Sequence, residues 1–492
     1  MILATQPVFM PALAEIFVSV GAIKVLLLGL LSKKNSVRWC FNYAVITLLA
    51  AALALFSQPL GLQITFNGLF TSDAFSITMK MVVVLTGAVV LILTRLTAIH
   101  EGLNHFEYPA LVLFAIVGMM IMISAHDLIS LFMGLELQSL SLYILVGMRR
   151  KNSESSEAAL KYFILGALST GILLYGCSLI YGFTALTNFE MLERFFKNQP
   201  LTQNLPIGPI IGMVFIIIAL GFKIATAPFH LWVPDVYQGT STSLTTFLVT
   251  APKAAGLAVF MKILMNPFGG LAAIWQPLLI ILAVSSMAIG CLSALTQTNL
   301  KRLLAYSSIG HIGFSLIGIL VANKMGLEAT LIYNIFYLLA MLLFFGAVLS
   351  LQRQGKLIEN LADLKGINRM YPGVSFLLGF TLFSLAGLPP LPGFIPKLLV
   401  LRAAVTSGYY ILSIFAVIYS LICAAYYLLI IKAMFLEGTA QGDVLVTPAY
   451  RKRDLSMILV LLGVTIALTV LLVYPNFLLD IVYQAIVALL YL

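Results

Sequence analysis

Seven ionisable side chains lie inside strongly apolar stretches of the sequence: Glu136, Lys161, Lys223, His230, Lys253, His311 and Lys397. A charge at the centre of a bilayer costs about 2.5–3.5 kcal/mol on the insertion scale, so each needs a partner or a purpose. One acid and several bases on successive apolar segments form the pattern of a proton relay or ion path. A lysine stripped of its hydration gives up its proton more readily, and a neighbouring carboxylate holds it charged. Separating such a pair releases the proton. Glu136 is the acid expected in that part, because no other Asp or Glu lies as deep in an apolar run. Neutral groups able to order water accompany them: Ser139, Ser141, Tyr143, Thr226, Thr240, Ser241, Thr242, Ser243 and Ser308. Ser and Thr also serve helix packing, so each alone is a weak signal. Glu15, Lys24, Lys80, Lys262, Lys301 and Lys432 fall nearer segment ends, where snorkelling to the interface is expected.

The elements that must position these groups are membrane helices. The chain has 492 residues, of which 61% are hydrophobic and 9% charged, against roughly 25% charged in an ordinary soluble domain. That balance excludes a soluble enzyme, a nucleic-acid-binding protein and a disordered chain. The net charge of +10 reflects Lys and Arg in cytoplasmic loops. At about 20 apolar residues per crossing, the sequence predicts an all-α, polytopic membrane protein of about fourteen spans. Their limits fall near 9–31, 38–57, 73–95, 108–124, 127–147, 158–183, 207–230, 240–264, 273–296, 300–322, 327–350, 374–405, 409–436 and 455–490. The last run is long enough for a span plus an extension. The first run, without the basic stretch of a signal peptide, is expected to stay as a helix.

The loops sort by charge. Alternate loops carry Lys33, Lys34 and Arg38; Arg95; Arg149, Arg150 and Lys151; Lys301 and Arg302; Arg353, Lys356, Lys365 and Arg369; and Arg451, Lys452 and Arg453. The opposite side carries Arg194, Lys197, Lys262, Lys324 and Arg402. The bias puts the basic loops in the cytoplasm and both termini outside.

Two spans cannot be regular. GFKIATAPFHLWVPD holds Pro228, which lacks an N–H and clashes with the carbonyl of Ile224. AGLPPLPGFIPK holds Pro389, Pro390, Pro392, Gly393 and Pro396 ahead of Lys397. Irregular backbone at membrane depth is tolerated only inside protein or beside a water-filled cavity. A Gly/Pro-interrupted span in each half of the chain points to inverted repeats and to the transport site. The breaks lie five spans apart, and an odd number inverts the second unit. The four cysteines, Cys40, Cys177, Cys291 and Cys423, are scattered through apolar runs. They argue against an iron–sulfur or zinc site and are expected to be small buried hydrophobes. No phosphate-binding glycine loop occurs.

Six segments in order then carry a resemblance: GLELQSLSLYIL (134–145), ALKYFILGALSTGILLYG (159–176), APFHLWVPDVYQGTST (227–242), APKAAGLAVF (251–260), KRLLAYSSIGHIGF (301–314) and AGLPPLPGFIPK (386–397). Together they resemble the subunit N family of respiratory complex I, the proton-translocating NADH-quinone oxidoreductase, over about residues 70–435. The PFHxWxPD stretch marks the wider antiporter-like family of subunits L and M and Mrp-type cation/proton antiporters. GLELQSLSLY is more particular to subunit N, as is a lysine at 397, where subunit M carries a glutamate. The resemblance implies fourteen helices, two inverted five-helix repeats, and broken helices seven and twelve. It implies an N-terminal three-helix segment at 1–107, repeats at 108–264 and 273–436, and a C-terminal segment at 437–492. Glu136 matches the family's fifth-helix glutamate, Lys161 its sixth-helix lysine, and Lys223 the lysine of the broken seventh helix. Lys253 matches the eighth-helix lysine and Lys397 the twelfth-helix lysine, and His311 falls on the tenth helix within a family motif.

The resemblance further implies a membrane-arm subunit that moves protons while partner subunits oxidise NADH and reduce quinone. FMN and iron–sulfur clusters would sit in those partners and no cofactor in this chain. Subunits M, K and J are the neighbours it implies, in a bacterial inner membrane or a mitochondrial one. An Mrp-type antiporter subunit is the alternative, and a membrane scaffold whose buried charges merely pair is a third reading.

Overall fold

The computed structural model describes residues 9–31, 36–198, 206–353, 356–438, 446–448 and 455–490. The loop residues Lys33, Lys34, Arg451, Lys452 and Arg453 lie outside these. The first six spans are Leu13–Leu31, Ser36–Phe56, Ala74–Thr94, Glu107–Ser124, Leu128–Val146 and Ser153–Thr184. The seventh comes in two pieces, Ile207–Ile224 and Trp232–Gly239. The eighth also comes in two, Thr242–Leu248 and Ala251–Met265. Spans nine to eleven are Ala272–Ala294, Leu300–Leu320 and Lys324–Leu349. The twelfth is Pro372–Ala386 plus Phe394–Thr406, and Tyr410–Phe435 and Leu455–Val473 complete the set. Thirteen spans among the described residues are long and apolar enough to cross a bilayer, the eighth counted across its interruption. The twelfth span reaches that length only as two pieces, which brings the described spans to the expected fourteen. The C-terminal extension is a separate helix, Asn476–Leu490, against the third and eleventh spans. Only two small antiparallel sheets occur among the described residues, both in loops: Gln63–Thr65 with Phe70–Ser72, and Leu351–Arg353 with Lys356–Leu357 and Val446–Pro448.

Inverted repeats are visible in how the fifth and tenth spans begin. A helix start leaves backbone N–H groups without intrahelical partners. Asp127 accepts from the Ile129 N–H at 2.8 Å and Asn299 from the Arg302 N–H at 3.1 Å. Beside each cap a returning segment adds the same pair of backbone bonds. Leu128 N–H donates to Thr187 O at 3.0 Å, and Phe189 N–H to His126 O at 3.0 Å. In the second half, Leu300 N–H donates to Glu359 O at 2.7 Å, and Leu361 N–H to Thr298 O at 3.0 Å. The two clamps sit on opposite faces of the membrane domain, as inversion requires. The Arg149 and Arg302 loops share one face, called here the basic-loop face.

Both expected breaks are present, and a third was not foreseen. The first half of the seventh span ends on Ala225 and that of the twelfth on Gly387, both left-handed, with φ of 66° and 81°. Each break contains a cis X-Pro bond, Ala227–Pro228 and Pro389–Pro390. The eighth span, read from the sequence as one helix, is interrupted at Val249 and Thr250, and Pro252 lies in the first turn of its second piece. Pro is suited to the first helical turn, where its missing N–H is not needed. Lys223, Lys253 and Lys397 therefore each lie within a few residues of a helix interruption.

The ninth and tenth spans approach most closely, through glycine. A Cβ on Gly290 would lie 2.4 Å from Gly310 N and 2.8 Å from Tyr306 O, both backbone atoms that cannot turn aside. Gly290→Val is therefore expected to destabilise the fold by about 1–3 kcal/mol, the usual range for overpacking. Gly463→Ala is the control, since nothing lies within 4 Å of a Cβ there. Thermal unfolding in detergent would check this, and equal midpoints for both variants would refute it. Near the same contact, Cys291 and Cys423 form a disulfide between the ninth and thirteenth spans. That corrects the expectation of four independent buried thiols. It holds for Cys40, which is buried, while Cys177 is half-buried. A separation of 132 residues carries no pairing signal in sequence, and only helix packing brings the two together.

Candidate functional site

In the first repeat, Lys223 ends the intact part of the seventh span and reaches across to the fifth. Its Nζ donates to Ser139 Oγ at 2.7 Å and to Tyr143 OH at 3.5 Å. It also lies 5.8 Å from the centre of the Tyr143 ring. Glu136 sits one turn from Ser139 on the same helix and is half-buried. It forms no ion pair within 4 Å among the described residues, which corrects the expected direct Glu–Lys pair. The carboxylate is within electrostatic reach of Lys223. Nor is Glu136 the deepest acid: Glu15 is 5% exposed.

Lys253 begins the second piece of the eighth span and points to the second repeat. It is buried and donates to Ser308 Oγ on the tenth span. Tyr237 of the seventh span covers it, with the ring centre 5.4 Å away. Counted from the caps Asp127 and Asn299, Ser308 takes the register position of Glu136, and His311 that of Ser139. The repeat thus reuses one helix face with different chemistry: carboxylate and hydroxyl in one half, hydroxyl and imidazole in the other.

His311 is held between two phenols. Nδ1 lies 2.7 Å from Tyr333 OH and Nε2 2.9 Å from Tyr427 OH. Tyr427 OH also bonds Ser307, the neighbour of the Ser308 that holds Lys253. Lys253, Ser308, Ser307, Tyr427, His311 and Tyr333 are thereby connected through one turn of the tenth span. Lys397 follows the break in the twelfth span. It donates to Ala386 O, a carbonyl freed by that break, at 2.9 Å, and to Ser420 Oγ at 3.1 Å. Gly387 makes room for it, since a Cβ there would lie 2.7 Å from Lys397 Cδ. A cavity of about 20 Å³ lies between His311 and Lys397, enough for one water. Lys223, Lys253, His311 and Lys397 so form a line of basic groups across both repeats, each met by hydroxyls.

Two groups of residues fall elsewhere. Lys161 belongs outside this line: its side chain is 42% exposed and pairs with Asp235 at 2.7 Å and Glu157 at 2.8 Å. Asp235 also takes Arg302 at 2.7 Å, beside a cavity of about 240 Å³. This corrects its expected place inside the bundle, because the sixth span presents that side outward. Four of the residues expected to snorkel are instead buried. Lys80 bonds Glu15 at 3.0 Å, and Lys301 bonds Thr240 O and Glu359, each at 2.8 Å. Lys262 donates to Thr71 Oγ1 at 3.0 Å and Ile123 O at 2.9 Å. Near it in the loop before the fifth span, His126 has neither ring nitrogen hydrogen-bonded. Burial, helped by Lys262, pushes that imidazole down to about 4. Lys24 and Lys432 are exposed, as expected of snorkelling groups.

Ser139, Tyr143 and Ser308 were legible as polar groups in apolar runs. Tyr333, Tyr427 and Ser420 were not, because an aromatic or a lone Ser in a span ordinarily signals packing. Among the described residues, no three His, Cys, Asp or Glu side chains gather into a group able to hold a metal.

Residues 125–423 match the family model described as "NADH:quinone oxidoreductase/Mrp antiporter, TM". The chain is 42% identical over 436 residues to NADH-quinone oxidoreductase subunit N of Paramagnetospirillum magneticum, covering 88% of this chain and 89% of that one. Among solved structures it resembles a chain of respiratory complex I from Thermus thermophilus. The TM-score is 0.78 at 28% identity, over 95% of this chain and 98% of that one. A chain of the Mrp complex from a Dietzia species shares the fold with a TM-score of 0.83 at 22% identity, over 98% of each.

Proposed function

The chain belongs to the NADH:quinone oxidoreductase/Mrp antiporter membrane family, in its subunit N branch, and from that premise we propose which of its groups carry protons. As a membrane subunit of an NADH-quinone oxidoreductase it serves proton translocation. The proposed relay runs through Lys223, Lys253, His311 and Lys397, with Glu136, one turn from the Ser139 that takes Lys223, setting the charge of that lysine. One observation carries it: all three lysines adjoin helix interruptions, and each donates to a hydroxyl that can accept a proton and pass it on. In an unbroken apolar helix a buried lysine would lack such partners. Lys161 is assigned a different part. With Asp235, Arg302 and Glu157 it forms the entry on the basic-loop face, ahead of Lys223.

The reading puts the basic-loop face in the cytoplasm of a bacterial cell, with the chain in the inner membrane. Redox chemistry, flavin and iron–sulfur clusters belong to partner subunits, and this chain holds no redox centre. The partners proposed are the antiporter-like subunit M and the small subunits K and J. The repeats are assigned to 108–264 and 273–436, flanked by segments 1–107 and 437–492.

Glu136→Gln tests the carboxylate. In an assembled complex it should lower NADH-driven proton pumping several-fold while NADH oxidation by a soluble electron acceptor is unchanged. Glu136→Asp should do less harm, because the charge survives at a shorter reach. Unchanged pumping in Glu136→Gln would remove the carboxylate from the relay.

A further inference from the structure

A cavity of about 1180 Å³ opens on the basic-loop face between the first, fourth and fifth spans. It exceeds the roughly 300–1,000 Å³ of ordinary small-molecule pockets. Its walls divide sharply. Leu26, Leu111, Phe114 and Ile144 form an apolar trough at membrane depth, and Arg149, Arg150 and Lys151 rim the mouth. None of these three cations takes part in an ion pair among the described residues. Arg149 Nε is buried without a hydrogen-bond partner, as is Glu107 Oε2 on the wall. Glu101, also on the wall, makes no ion pair with the rim cations among the described residues. Its two oxygens are taken by the Thr242 N–H at 2.7 Å and the Ser243 N–H at 3.0 Å.

We propose that this cavity is a built site for one anionic phospholipid of the basic-loop leaflet, its phosphate at Arg150 and Lys151 and its acyl chains along the trough. Basic pockets between membrane helices on this side take such headgroups. A headgroup bearing hydroxyls, as in phosphatidylglycerol, also supplies a donor to the unpartnered Glu107 oxygen. The cavity is tied to the relay by two contacts. Arg149 Nη2 donates to Gly239 O at 3.0 Å, where the seventh span ends. Glu101 caps the start of the eighth. A lipid held here steadies both sides of the turn that leads to Lys253.

The test uses the whole purified complex, delipidated and then given vesicles of phosphatidylglycerol or phosphatidylethanolamine. The double variant Arg150→Gln/Lys151→Gln leaves Arg149 and its bond to Gly239 in place. It should bind phosphatidylglycerol about 30-fold more weakly at this site, read by native mass spectrometry. Its restored quinone reductase activity should fall in step. Ile144→Asn, on an exposed wall residue 57% accessible, should weaken binding without touching the headgroup. Equal retention in wild type and double variant would overturn the site. Equal rescue by phosphatidylethanolamine would overturn its anionic character. Rescue by inorganic phosphate alone would reduce it to a headgroup-sized anion site and overturn the lipid. Cross-linking of Lys151→Cys across the cavity to another subunit would show that protein, not lipid, fills it.

Discussion

Replacing Lys253 by methionine is expected to remove most NADH-driven proton pumping from an assembled complex, by on the order of tenfold or more. Lys253 is 3% exposed, and among the described residues its side chain donates to Ser308 alone. It lies between the two repeats; its partner Ser308 neighbours Ser307 on the tenth span, and Tyr427 joins Ser307 to His311. Methionine keeps the volume and removes the proton. Working against about 100 mV takes about 2.3 kcal/mol per charge moved, so a relay missing its central base has no step of that size to substitute. Lys223→Met should behave alike. Arginine is the sharper variant: it keeps the positive charge but does not release its proton. Lys253→Arg and Lys223→Arg should therefore rescue poorly. Acidification of everted vesicles during NADH oxidation measures this directly. Full pumping in the arginine variants would show that these lysines act as fixed charges, and the relay would fall with that result.

Breaking the ion pair in the N-terminal segment should instead cost stability. The Lys80 side chain is 0% exposed and its carboxylate partner Glu15, at 3.0 Å, 7%. Removing one partner of a buried pair typically costs about 3–5 kcal/mol, because the remaining charge is left uncompensated. Glu15→Gln should thus lower the thermal midpoint of the solubilised complex, or its yield, markedly. Adding Lys80→Met should recover much of the loss, since a buried pair replaced by apolar groups is often neutral or better. The recovery separates a buried-charge penalty from simple loss of packing. A Glu15→Gln complex as stable as wild type would mean that the pair is hydrated and contributes little.

The sequence by itself determined the membrane class, the fourteen spans and two of the three helix breaks. The physical reasons are one-dimensional: a bilayer needs a fixed length of apolar residues, and proline cannot complete a helix ladder wherever the chain goes. The same logic singled out Lys223, Lys253, His311 and Lys397, since an ionisable group in hydrocarbon needs a purpose. Which polar groups meet was decided only by the tertiary structure. Glu136 and Lys223 are 87 positions apart in the sequence, and nothing in it says that Ser139 rather than Glu136 takes the lysine. Lys161 looked as buried as Lys223, because hydropathy measures the helix and not the side that faces outward. Glu15, Lys80, Lys262 and Lys301 looked superficial for the converse reason. They lie near helix ends, where snorkelling is the rule, and become buried because neighbouring spans close over them. The Cys291–Cys423 bond and the Tyr333–His311–Tyr427 bridge belong with them. Each depends on rotation and depth between helices that meet only in the fold, and spacing along one chain does not encode either.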